Sequence, residues 1–188
     1  RLKKVAEAGG AVKDLADAKD FSGGAWSNAG GGTILFGTAK GLGRVSAEGG
    51  PAGIITELGQ GEAGHLWPSF LPDGTHYLYL AWSQDAANRA VYLGTLDVKE
   101  TKRLISAESN AIFAASAGSR QAAPGYIFFH RQATLFAQPF SAKTLAFDAL
   151  PYQPAGAGGG YPPSPAAAVQ ALASSAGHMA QPASVVVS

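Results

Sequence analysis

The chain contains no cysteine. Disulfides, thiolate metal sites, iron–sulfur clusters and cysteine nucleophiles are therefore excluded together. Charge is also scarce: Asp, Glu, Lys and Arg make up 14% of the 188 residues, with Lys+Arg 14 against Asp+Glu 13 and a formal net charge of +1. Nucleic acid and anionic membrane surfaces both select a clustered basic excess, so neither is expected as the main partner. No apolar run reaches the ~18–20 residues of a membrane span, and no transmembrane segment is expected. Arg1 opens no charged-then-apolar leader, so any signal peptide is expected to have been removed or never present. Helical signals are nearly missing; the best window, Ala166–Ala173, is alanine-rich without an apolar stripe.

Glycine, proline and repetition dominate instead, with Gly 25 and Pro 11. Leu2, Lys4, Val5, Gly9 and Gly10 recur as Leu42, Arg44, Val45, Gly49 and Gly50. That period of roughly 40 residues falls in the range of propeller blades. Trp26 and Gly30 followed by Ile34, Leu35 and Phe36 match Phe70 and Gly74 followed by Tyr77–Leu80. A third copy is Pro124–Phe129, and a fainter fourth is Ser175–Met179. Each copy is an aromatic residue or turn glycine leading into a short apolar strand. In Leu71-Pro72-Asp73-Gly74, proline presets φ and glycine supplies a positive φ, which makes a turn. Thr33–Phe36, Tyr77–Trp82, Val91–Leu96 and Tyr126–His130 are rich in β-branched and aromatic residues and read as strands. Lys99–Leu104 and Ser141–Leu145 read as polar hairpin corners. The class expected is all-β.

Four strands per ~40 residues suggests a β-propeller of four-stranded antiparallel blades. The chain opens on what read as the third and fourth strands of a blade, Leu2–Ala6 and Ala11–Ala16. Three fuller blades follow at about 22–58, 64–107 and 110–150. A Gly/Pro/Ala-rich linker occupies 151–168, and 169–188 holds closing strands or a tail, with Val169–Leu172 and His178–Val187 as candidates. Joined, the two half-blades would close a small ring of about four blades; otherwise residues 1–150 are part of a larger propeller. Both readings stay open.

Phe70-Leu71-Pro72-Asp73-Gly74 resembles the repeat signature of TolB-type and WD-like bacterial β-propellers. Gly61–Leu80, Val91–Asp97, Thr101–Leu104, Gly125–Phe129 and Thr134–Phe140 are similar to the propeller regions C-terminal to bacterial serine/threonine protein kinases. The resemblance covers about 21–150 and fades over the last ~35 residues. It implies bladed sheets and an extracytoplasmic or periplasmic location, with a cytoplasmic one as the alternative. Asn28–Thr33 departs from the pattern where an Asp-Gly turn is expected. No glycine-rich phosphate loop or His-Arg-Asp segment of a kinase is present.

Glu62, His65 and His76 form the only dense polar group near a blade's first strands. Glu-x-x-His suits a metal or an acid–base pair. On a regular strand, however, a spacing of three puts the two side chains on opposite faces. The favoured reading makes His65 and Trp67 liners of a central channel or bonds to a neighbouring blade. His130 and His178 read as structural or exposed, and Asp73 as the cap of its own turn. Of Trp26, Trp67 and Trp82, at most one is expected to be exposed. Gly30–Gly32 and Gly156–Gly160 lack the Lys-Ser/Thr of a phosphate loop, and no Gly-x-Ser-x-Gly elbow occurs. No catalytic residue, metal or cofactor is assigned. The function expected is a non-catalytic binding or scaffold module with a protein partner or larger complex, such as the sensor region of a kinase-linked protein. Its binding or channel residues would be Glu62, His65, Trp67, His76 and Trp82. The alternative is a propeller hydrolase or lyase using Glu62, His65 and His76.

Overall fold

Tight turns cut the chain into short strands, and period-two alternation decides what each strand buries. The computed structural model describes residues 1–115 and 124–147, together with the backbone pairing of 183–187. The described residues form strands and two short 3-10 turns, with no α-helix among them. Strands β1 (Leu2–Ala6) and β2 (Lys13–Ala16) come first. Then follow β3 (Gly24–Ser27), β4 (Thr33–Thr38), β5 (Gly41–Ser46) and β6 (Gly53–Ile54). Next are β7 (Glu62–Phe70), β8 (His76–Ser83), β9 (Ala90–Thr95) and β10 (Val98–Ser106). The last are β11 (Ile112–Ala115), β12 (Pro124–Arg131), β13 (Thr134–Ser141), β14 (Ala146–Phe147) and β15 (Ala183–Val187).

β3–β6, β7–β10 and β11–β14 are each antiparallel meanders in chain order. The first two merge into one curled sheet through a single ladder pair, Thr38 with His65. Besides this sheet and the four-stranded β11–β14, a three-stranded sheet has the order β15-β1-β2, with Leu2 opposite Val187 and Ala6 opposite Ala183. The all-β class therefore holds. Some expectations change. Lys99–Leu104 is no corner but lies inside β10; the turn is Leu96–Asp97, where Asp97 takes φ 64. The strand expected over Ala11–Ala16 shortens to Lys13–Ala16. The 151–168 linker, the Ala166–Ala173 window, Val169–Leu172 and His178 lie outside the described residues.

Alternation along the second strand of each meander explains the core. Ile34 and Phe36 of β4 pack with Leu2, Leu15 and Val45. Leu35, between them, points the other way and meets Leu42, Tyr77, Tyr79 and Ala81. On β8, Leu78 and Leu80 then turn toward Val91, Leu93, Ile127, Phe129 and Phe140. On β12, Tyr126 and Phe128 face away with Ala114. A strand buried on both faces reads as a continuous apolar run, as these three do. Each fully buried Leu, Ile or Phe contributes ~1.5–3 kcal/mol. Apolar clusters thus join each meander to the next in chain order.

Candidate functional site

β7 shifts register twice against β8, and these irregularities place the polar residues. Glu62 pairs with Ser83 and Gly64 with Trp82, so Ala63 is an extra residue on this strand. Such a bulge reverses the alternation beyond it. Glu62 and His65 consequently share a side: Nε2 of His65 lies 2.9 Å from Oε2 of Glu62. The opposite-face expectation is corrected here, because it assumed a regular strand. Nδ1 of His65 lies 2.6 Å from Oγ1 of Thr56, in the connection that follows β6. Thr56 Oγ1 accepts the Leu42 N–H at 2.8 Å, and Glu62 Oε2 accepts the Gly59 N–H at 2.6 Å. His65 is therefore bonded to the connection that follows β6, within the same curled sheet.

The His65 ring is 1% exposed and lies 4.7 Å, centroid to centroid, from the ring of Tyr79. Burial pushes the imidazole below its ordinary value, against an opposing pull from Glu62. Tyr79 stacks on Tyr92 at 5.6 Å, and burial raises its hydroxyl well above the usual range. With both ring nitrogens engaged and no exposed face, His65 cannot reach a substrate. The arrangement can hold a proton in place; it cannot deliver one outward.

His76 does not join this group, which corrects the three-residue cluster. It begins β8, seven residues before Ser83, or about 23 Å at ~3.3 Å per residue. There it bonds through Nδ1 to Oδ2 of Asp73. Oδ1 of Asp73 accepts the N–H groups of Thr75 and His76, both at 2.9 Å. Asp73 caps its own turn, as its type and place suggest.

A second irregularity positions Trp67. Pro68 has no N–H for the ladder, and β7 shifts register between Leu66 and Ser69. Trp67 adopts φ 49 and remains 39% exposed, the one tryptophan of the three in that class. Its N–H donates to the Ser22 carbonyl at 2.8 Å, and its indole fills the space beside Gly23. Trp82 is half-buried under the Arg89 guanidinium, 3.8 Å from the ring centroid. Trp26 is half-buried with Lys4 above it at 5.3 Å. His130 is exposed at the end of β12.

Thr56 and Gly59 have no motif that marks them; only the fold brings them to His65. Among the described residues, no three His, Asp or Glu side chains converge to hold a metal ion. No helix among them is long and apolar enough to cross a membrane. No family model matches the chain, and comparison with curated proteins gives no match.

Proposed function

We propose that this chain is a non-catalytic β-propeller module that binds a protein partner, with Trp67 as the aromatic anchor of the binding surface. The observation that carries the reading is Trp67 itself. A bulky aromatic residue in the left-handed region costs ~1–3 kcal/mol, and such strain concentrates where function needs a side chain held in place. Here the strain keeps an indole exposed on a strand that otherwise serves the core. Rigid, partly exposed tryptophan is the residue type most enriched in interface hot spots. The repeated four-stranded meanders and the pairing of β1 with β15 support the propeller reading, each meander being one blade. The sensor role beside a kinase and the extracytoplasmic location follow from the resemblance to kinase-linked propellers.

A hydrolase or lyase reading draws on the Glu62–His65 contact at 2.9 Å. Burial and the bonds to Thr56 and Gly59 weigh against it. Both readings face one experiment. The full chain and its Trp67→Ser and Glu62→Gln variants are purified from the producing cell, and co-purifying proteins are quantified by mass spectrometry. A stoichiometric partner lost with Trp67→Ser and kept with Glu62→Gln supports the proposal. A chain without such a partner, or one whose partner is indifferent to Trp67→Ser, overturns it.

A further inference from the structure

Four hydrogen bonds meet in the connection from β6 to β7, and burial requires that each donor among them find an acceptor. The Leu42 N–H donates to Oγ1 of Thr56. The buried hydroxyl proton of Thr56 finds its acceptor in Nδ1 of His65, 2.6 Å away. Nδ1 is therefore an acceptor, and Nε2 carries the proton donated to Glu62 at 2.9 Å. Glu62 in turn holds the Gly59 N–H at 2.6 Å. The chain is complete for a neutral imidazole and has no place for a second ring proton. An Nδ1–H would point at the hydroxyl proton of Thr56. Turning that hydroxyl aside strands its proton in a buried site, a loss that native structures avoid.

We propose that Thr56, His65 and Glu62 form an acid-released latch: a proton taken up by His65 breaks its bond to Thr56 and frees residues 56–61 from β5 and β7 while the sheets stay intact. The freed segment carries Leu58, an exposed apolar residue beside the connection. The groups facing His65 are Glu62 from its own strand, Thr56 from the connection, Thr38 opposite it on β4, and Tyr79 on β8 with Tyr92 behind. Glu62 supplies the charge among them and favours the protonated ring, while burial disfavours it and is the larger influence. Protonation therefore comes with opening rather than before it. One proton is taken up per opening, so the open population rises up to tenfold per pH unit below about 6.5. The latch does not depend on the proposed partner binding.

Amide hydrogen exchange of the full chain, followed by NMR between pH 8 and pH 5, reads the latch directly. The protection factors of Leu42 and Gly59 should lie below those of Leu78 and Leu80 in β8 at every pH and fall up to tenfold per unit below pH ~6.5. In His65→Gln, protection at Leu42 and Gly59 should no longer depend on pH. Flat protection in the wild-type chain, or protection at Leu42 and Gly59 equal to that at Leu78 and Leu80, overturns the proposal. Should His65→Gln not fold, the carbon-bound ring protons of His65 in the wild-type chain decide. Their titration must share its midpoint with the loss of Leu42 protection, and a ring that titrates while Leu42 stays protected overturns the latch.

Discussion

Tyr77 lies across Gly94 on the neighbouring strand, its ring occupying the space a Cβ would need. Phe36 lies across Gly43 in the same way one meander earlier. Both pairs join the second strand of a meander to its third. The bare backbone of the glycine lets a large ring lie flat and reach the inter-sheet core. Burial there pushes the Tyr77 hydroxyl up to about 12.

Gly43→Ala and Gly94→Ala should each lower stability by ~1–3 kcal/mol, the usual cost of overpacking. Alanine favours strands no less than glycine does, so backbone preference alone predicts no loss. Urea unfolding of the two variants separates these outcomes. Midpoints equal to the wild-type value would mean that the rings slide aside without cost.

Acid should weaken the whole fold through His65 as well. Burial holds this ring below the ordinary histidine value, so the unfolded chain binds the proton more readily than the folded one. The contribution is complete above about pH 6.5 and is lost as pH falls toward the folded value. The loss should reach up to ~1.4 kcal/mol per pH unit. Urea midpoints measured between pH 8 and pH 5 check this, and the slope assigned to His65 should be absent in His65→Gln.

The turn at Asp73 offers a different window. Burial acts to raise this carboxyl, but its bonds from His76 and Thr75 prevail and hold it below the usual carboxylate range. Its contribution is present above about pH 4 and lost as pH falls through the lower folded value. Asp73→Ala should cost ~1 kcal/mol, as for other lost caps, and Asp73→Asn less, since the amide oxygen still accepts. Gly74→Ala should cost more than either: Gly74 sits at φ 68, and a Cβ there would overlap the Ser27 side chain. Thermal unfolding at pH 7 ranks the three.

These cases mark how far the amino-acid order carries. Leu71–Gly74 was legible because proline and glycine fix backbone angles locally, wherever the turn lies in the fold. The strands over Thr33–Phe36 and Tyr77–Trp82 were legible because their apolar runs are long enough to bury both faces. The Glu62–His65 contact was not legible, since one extra residue in β7 reverses the face and periodicity counting assumes none. Pro68 does signal the second irregularity of that strand, but the exposure of Trp67 depends on Ser22 and Gly23, forty-odd positions earlier. Gly43 and Gly94 pass for turn glycines until their partners across the strand are known.

Removing residues 183–188 should strip β15 from β1 and leave the backbone of β1 unpaired on that side. Exposed strand edges recruit other chains. The shortened chain should therefore unfold at lower temperature and self-associate, as calorimetry and size-exclusion chromatography would reveal. A monomer with an unchanged transition would show that the β1–β15 ladder contributes nothing.

That ladder also imposes an order in time. Leu2 and Val187 meet although they are separated by roughly 185 positions, about four doublings beyond the span of a tight hairpin. Each doubling adds about 0.6 kcal/mol to the entropy of closure, so this junction begins ~2.5 kcal/mol behind its neighbours. The meanders β3–β6, β7–β10 and β11–β14 depend on near-neighbour contacts and should assemble first, in milliseconds or faster where contacts are local. β1, among the earliest residues of this stretch to leave a ribosome, must wait for β15, among the last. During that wait β1 has β2 on one side and an open edge on the other, and chaperone occupancy should concentrate on that edge.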